Sequence, residues 1–458
     1  MSTPLALPAT AAHTFDLSKI DTGNTAWVLA SAALVLLMTP GLAFFYGGMV
    51  RRKNVLGMLM QNFACIAIVS VVWVLVSFSL SFGGGSGFVG NFHFAGLQHM
   101  TEMLPGYTGS AAQTIPPMVF VVFQLMFAVI TPALITGSTA DRWKFGAFVA
   151  FVVAWSVLVY APIAHWVFSP EGWLFKRGAL DFAGGTVVHV NAGVAGLAMA
   201  LVLGKRRGWP KQDMRPHNVP FVMLGAGLLW FGWFGFNAGS ALGANNLAGY
   251  AFVNTNTATA AALLGWIMVE KVKYRKATTL GAASGAVAGL VAITPAAGFV
   301  SPLGSLAIGL LAGVICPLAI GLKTKLGYDD SLDVVGVHLV GGIIGSLCVG
   351  LFATVDTNAA GRDGLFYGGG GGLLGDQALA VICVMAYSFL ATFIIGKVIG
   401  LIMRNKLTEE EEIAGMDLVL HGESGYELGA GGSDEVGRPK AAAMASPARP
   451  ATATGADA

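Results

Sequence analysis

The sequence predicts an all-α polytopic membrane protein with eleven transmembrane helices, built as an inverted five-helix repeat (spans one to five and six to ten) plus an eleventh helix. Three observations carry that expectation. The 458-residue chain is 55% hydrophobic and only 11% charged, against about 25% charged in an ordinary soluble domain. Apolar runs long enough to cross about 30 Å of hydrocarbon recur along its length. Two of those runs open on the same unusual pairing of a carboxylate and an imidazole, Asp181 with His189 and Asp333 with His338.

The first 25 residues hold Asp16, Lys19 and Asp21 without a basic n-region or a sustained apolar stretch, so an uncleaved extracytoplasmic segment is expected over 1–25. The apolar runs fall at 26–48, 55–80, 116–139, 146–168, 185–204, 219–240, 250–270, 278–296, 302–322, 334–354 and 377–403, eleven in all, which defines a transmembrane domain over 26–403. Arg51–Lys53, Arg142 and Lys144, the Lys205–Arg215 cluster, Lys271–Lys276, Lys323 and Lys325, and Arg404 and Lys406 all lie on one side of such a topology. The positive-inside rule makes that side cytoplasmic. The N-terminus is then outside and the C-terminus inside.

Glycine-rich stretches at 83–87 and 368–372 lack the Lys-Ser/Thr of a phosphate-binding loop and read as flexible external linkers. From 404 the chain becomes a cytoplasmic tail, with an acidic run at Glu409–Glu412 and a Gly/Ala/Pro/Ser composition from about 429 that predicts disorder there. Cys65, Cys316, Cys348 and Cys383 all sit in apolar runs and read as packing residues. A net charge of +2, with basic residues scattered in short loops, speaks against a nucleic-acid partner.

An ionisable side chain inside a span is costly enough to be a functional hypothesis by default. In both special runs glycine follows the histidine at plus four and plus seven (Gly193 and Gly196; Gly342 and Gly345), so the imidazole and the small residues share a helix face. Two such helices could approach closely and bring the two histidines together. Five-span repeats face opposite ways because five is odd, and sites near the midplane where equivalent helices meet are a common transporter plan. Asp181 also suits a helix N-cap, and Asp333 reads as a cap only.

With Asp181-Phe-Ala-Gly-Gly-Thr-Val-Val-His189, Gly232-Trp-Phe-Gly-Phe236-Asn-Ala-Gly-Ser240, Pro40-Gly-Leu-Ala-Phe-Phe-Tyr46-Gly-Gly and Asp333-Val-Val-Gly-Val-His338, the chain resembles a bacterial member of the ammonium transporter (Amt/Mep/Rh) family over about residues 24–427. The resemblance implies a homotrimer with one narrow pore per subunit, in which His189 and His338 share a proton and line an otherwise apolar channel. It also implies that Phe127 and Phe236 stack as a gate above them, that Phe127 and Ser240 belong to an external cation site, and that Asp181 supports that site. The family places a tryptophan after His-x-Val following span four. Here the sequence reads His165-Trp-Val-Phe168, so Phe168 fills that position and Trp173 is a nearby substitute. The tail, Glu409–Glu412 followed by Ile413-Ala-Gly-Met-Asp417-Leu and His421-Gly-Glu-Ser-Gly-Tyr426, resembles that of bacterial ammonium transporters and implies docking by a trimeric PII-type signal protein.

The expected substrate is ammonium, recruited outside, deprotonated and passed as ammonia with the proton handled separately. Methylammonium or carbon dioxide as substrate, or an ammonium-sensing receptor that transports little, are the alternatives. No nucleophile–base pair or metal cluster stands out, and two histidines alone lack the further ligands zinc wants. Catalysis, a metal and a cofactor are therefore not expected.

Overall fold

In lipid the backbone must satisfy its own hydrogen bonds, so each apolar run folds as a helix. A computed structural model of the chain describes residues 14–426; the disorder expected from about 429 and the start of the N-terminal segment lie outside the described residues. The helices are α1 (Thr22–Met49), α2 (Arg52–Phe82), α3 (Pro117–Thr139), α4 (Phe145–Arg177), α5 (Gly185–Leu203), α6 (Val219–Gly239), α7 (Asn246–Tyr274), α8 (Thr279–Ile293), α9 (Pro302–Leu326), α10 (Val335–Phe352) and α11 (Gly372–Ile402). These are the eleven expected spans in the expected order, and the chain is a multi-pass membrane protein. Side-chain caps fix several starts: Asp21 accepts from Asn24 N–H, Asn218 from Phe221, Asn245 from Ala248, Thr278 from Gly281 and Ser301 from Gly304.

The exception in length is α8, whose 15 residues reach only about 22 Å at 1.5 Å per residue. Pro295 cannot continue the helix, and Ala296–Val300 complete the crossing as buried turns. Irregular backbone at that depth is tolerated because it is enclosed by protein; the Pro295 carbonyl accepts from Phe182 N–H, and Asn254 Nδ2 donates to the Ala297 and Val300 carbonyls.

The repeat shows in which helices touch. In the first half α1 packs on α2 and α3, α2 on α3 and α4, and α3 on α5; in the second α6 packs on α7 and α8, α7 on α8 and α9, and α8 on α10. The halves join through α1 against α6, where small residues let backbones meet. A Cβ on Gly225 would lie 2.3 Å from Phe45 N, and one on Gly232 2.6 Å from Leu34 O. Outside the repeat, α11 packs on α5 and α10 and leaves Ile382, Leu390, Ile394 and Leu401 exposed, an apolar surface suited to lipid or another subunit.

Two expectations need correction. The stretch at 83–87 is no loose linker: Gly83 and Gly90 pack against backbone, with Cβ positions 2.4 Å from Ser79 O, and the Gly87 carbonyl accepts from Trp173 N–H. Its glycines answer to space, whereas Gly368, Gly370, Gly371 and Gly372 face open space. The cap of α10 is Asp330 and not Asp333. Asp330 accepts from the N–H groups of Val334 and Val335, while Asp333 takes φ +63° and pairs with Lys323 at 2.5 Å. Asp181 and Asp330 each precede their histidine by eight residues, so the true repeat is Asp-x7-His.

The basic loops converge on one face around a buried ion cluster. Arg206 donates to Asp329 and Asp141, Arg51 to Asp141, and Arg142 to the Ser138 and Asp329 carbonyls. Burial alone would raise the Asp329 carboxyl, but its pairing with Arg206 holds it below the usual range, and burial pushes Arg142 down to about 10. The tail folds back onto this face. Thr408 and Glu411 form a capping box at the start of α12 (Glu409–Ala414), Glu411 pairs with Lys144 at 2.7 Å, and Asp417 accepts from Gly57 N–H at 2.9 Å.

Candidate functional site

The residues singled out by sequence line up along one path through the fold. At one end, on the face away from the basic loops, lies a cavity of about 170 Å³ lined by Phe127, Phe168, Asp181, Ser240, Tyr107 and Phe299, among others. Four of these are the expected external-site residues. Phe168 stands edge-on to Phe127 with ring centroids 6.3 Å apart. Its backbone carbonyl is fixed by the Tyr107 hydroxyl, which donates to it at 3.2 Å. Trp173 is not among the lining residues; it packs against Phe88 and Trp166. The ring beside Phe127 at the expected tryptophan position is therefore that of Phe168.

Asp181 borders this cavity, yet its oxygens are committed. One accepts from Gly184 and Gly185 N–H, the other from the Thr186 N–H and hydroxyl and from Val187 N–H. A carboxylate so occupied caps α5 and lends negative charge to the cavity without offering a free ligand atom. Ser240, at the end of α6, turns its hydroxyl to the Phe236 carbonyl at 2.9 Å.

Below the cavity Phe127 and Phe236 stack, centroids 4.2 Å apart and planes within 24°, and close the path. Next come the histidines. His189 and His338 are 1% and 2% exposed, and their Nδ1 atoms lie 3.4 Å apart, so one can donate to the other. Among the described residues His189 Nε2 meets no protein hydrogen-bond partner, and beyond His338 a second cavity opens, lined by Phe45, Tyr46, Met49, Leu280, Asp333 and Val337. It leads toward a wider one of about 270 Å³ bounded by Arg206, Trp209, Lys323 and Asp333 on the basic face.

Both histidines sit in π-helical turns, Gly185–Val190 and Val335–Leu339, at matching places in the two repeats. A π turn widens the helix locally and re-aims its side chains, a feature frequent at functional sites. The glycines four residues later bring the helices together. A Cβ on Gly193 would lie 2.4 Å from Leu339 N, and one on Gly342 3.0 Å from both Gly185 O and Val190 N. Those at plus seven do not share this contact: Gly196 faces Ser138 of α3, and Gly345 faces Ala292 of α8. Gly196 also lies near Val334, at the start of α10, with a Cβ position 3.4 Å from its Cγ1.

Residues 26–426 match the Ammonium Transporter Family. The chain belongs to that family. It is 54% identical over 438 residues to the ammonium transporter of Mycobacterium tuberculosis H37Rv, covering 89% of this chain and 91% of that one. With the Bacillus subtilis ammonium transporter it shares 51% identity, over 88% and 98%. Among solved structures, Mep2 of Saccharomyces cerevisiae superposes with a TM-score of 0.79 at 36% identity, over 86% of this chain and 89% of that one, and a Sensor Amt Protein with 0.78 at 30%, over 86% and 97%.

Sequence reasoning missed Trp233. Its ring stacks on His189 at 5.3 Å with planes 17° apart, and its Nε1–H donates to Thr294 at 2.8 Å, which locks one wall of the histidine site. The signal was present, since Trp233 lies one turn before Phe236 on the same helix face. Sequence reasoning also missed the grouping of His93, His99 and Glu102 in the α2–α3 loop, whose ligand atoms lie within 4.8 Å of one another.

Proposed function

We propose that this family member carries ammonium into the cell across the cytoplasmic membrane, with its basic face inside. Ammonium is drawn to the cavity beside Phe127, Phe168 and Ser240 by the aromatic faces and the negative charge of Asp181. It gives up its proton at or before the Phe127–Phe236 stack and passes as ammonia along His189 and His338. The observation that carries this reading is the buried pair of imidazoles, delivered by equivalent π turns and flanked by a cavity on either side.

Magnitudes favour deprotonation. An intact cation entering an apolar lumen has an idealised cost of tens of kcal/mol, against about 2 kcal/mol from a desolvated cation–π contact. Losing a proton from an ammonium that titrates two to three units above neutral costs roughly 3–4 kcal/mol. Potassium has no such route, which makes the pore selective between ions of similar size. The mutual Nδ1 contact leaves each imidazole one outward nitrogen for a passing ammonia or for the proton.

The test is a proteoliposome current on adding ammonium. His189→Ala and His338→Ala are expected to lose ammonium-selective conduction, down to the level of empty liposomes, while assembly is unchanged. Selective currents persisting in either variant would sink the paired-histidine reading. The likeness to the sensor protein supports a second reading, ammonium sensing with little flux, and the absence of both current and ammonium uptake in the unmodified protein would favour it. Competition by methylammonium or carbon dioxide in the same assay separates the other substrates.

The assembly proposed is a homotrimer, supported by the exposed apolar sides of α7, α9 and α11. A PII-type signal protein is the proposed regulator, docking on the cytoplasmic face at the tail.

A further inference from the structure

We propose that His93, His99 and Glu102 form a binding site for a divalent transition-metal ion of the zinc class on the extracytoplasmic loop between α2 and α3. His93 Nε2 lies 2.7 Å from Glu102 Oε2, and His99 Nδ1 lies 3.5 Å from Glu102 Oε1. The two imidazoles stack with centroids 4.4 Å apart and planes within 15°. Metal–ligand bonds of about 2.0–2.2 Å set neighbouring donors of a tetrahedron roughly 3.3–3.6 Å apart. The His99 Nδ1–Glu102 Oε1 spacing already fits; on binding, the His93–Glu102 contact opens by under about 1 Å and one imidazole turns out of the stack, because an ion ligated by both rings must lie near the plane of each.

The donor set decides the class of ion. Two imidazole nitrogens and one carboxylate suit zinc, nickel or copper, whereas magnesium and calcium want oxygen ligands throughout. On binding, the His93 Nε2 lone pair turns to the metal, and the His93–Glu102 hydrogen bond is exchanged for bonds from both side chains to the ion. Three protein donors leave a fourth position for water, as in exchangeable zinc sites.

The loop holds these groups in place. Phe94, next to His93, is buried and donates its N–H to Ser79 Oγ, and His93 N–H donates to Asn91 Oδ1. Glu102 N–H donates to the His99 carbonyl, which sets the two side chains beside each other. Phe15 N–H donates to the Thr101 carbonyl, so the segment before α1 braces the turn. His99 itself is held at φ +60°, a conformation uncommon for a residue with a Cβ and one often found at ligand clamps. With 40%, 49% and 21% of their side chains exposed, the three ligands are open to an ion from solvent.

The experiment uses the full chain in nanodiscs, free of any affinity tag, with zinc titrated by calorimetry and cobalt(II) absorption as a spectroscopic readout. One zinc per subunit is expected, and cobalt should show the visible bands of a nitrogen- and oxygen-ligated ion. His93→Gln keeps a donor for Glu102 and hence the loop contact, while Glu102→Gln keeps a polar acceptor. Each should weaken zinc by more than about tenfold, because even the loss of a group that only supports a ligand costs that much. His217→Ala, on the opposite face, should change nothing. Unaltered zinc affinity in both glutamine variants, or no stoichiometric uptake by the unmodified protein, overturns the assignment.

Discussion

At residue 168 the outer cavity presents a phenyl face where the family places an indole, and a cation is held less well by phenylalanine than by tryptophan. Trp173 faces Phe88 and Trp166 and cannot compensate from its present place. Phe168→Trp is therefore expected to lower the ammonium concentration for half-maximal current by roughly twofold to fivefold, the equivalent of about 0.5–1 kcal/mol of added cation–π attraction. Potassium exclusion should not change, since in the proposed mechanism it rests on loss of the proton and not on the strength of the outer contact. Half-saturation that stays put would show that residue 168 does not touch the cation. At this scale the grouping of the candidate residues was legible: Phe127, Phe168, Asp181 and Ser240 do border one cavity, and His189 and His338 do meet. The register of the second acid was not. Asp333 is nearer its histidine in sequence and drew attention, but only Asp330 stands eight residues ahead, as Asp181 does, and backbone hydrogen bonds decide which carboxylate caps the helix.

The element that makes the histidine pair is the crossing of α5 and α10, and its closeness rests on Gly193, whose missing side chain leaves room for the Leu339 backbone. Gly193→Ala puts a methyl carbon 2.4 Å from Leu339 N, so the helices must part or tilt. Overpacking of this kind costs about 1–3 kcal/mol. We expect a lower unfolding temperature in detergent together with a loss of most ammonium current, because a shift of under 1 Å already takes the Nδ1 atoms beyond hydrogen-bond range. Gly227→Ala, which meets no atom within 4 Å, serves as the matched control and should leave both readouts unchanged. Full activity in the Gly193 variant would show that the crossing tolerates expansion. Long spans were readable from hydropathy because lipid imposes one answer on an apolar run. The π turns at Ser156–Tyr160 and at both histidines were not, since a run of small and β-branched residues reads the same at either pitch, and tertiary packing selects the wider one.

For the whole molecule the tail is the part through which a partner could act on the pore. Its acidic run is not freely solvated: Glu412 is 3% exposed and accepts from Arg207 N–H, Met416 N–H donates to Asn54, and Lys53 Nζ donates to the Ile413 carbonyl. The hydrogen bond from Lys144 holds the Glu411 carboxyl below the usual carboxylate range, so this contact is present at neutral pH and is lost only as pH falls through that lowered value. Folded back in this way, the tail spans the starts of α2 and α4 and the loop after α5, and it leaves Glu409, Ile413 and Leu418 facing outward. An acidic and apolar face repeated three times around a trimer would suit a three-fold signal protein, whose linked contacts add avidity without any single one being strong. Deleting residues 409–427 is therefore expected to weaken binding of a PII-type protein by at least about a hundredfold, the scale on which linked contacts act, and to relieve its shut-off of the current. Deleting 429–458 should do neither. Pull-down from membranes carrying each truncation decides the matter, and undiminished capture by the variant lacking 409–427 would place the docking surface elsewhere, on the basic loops that the tail now covers.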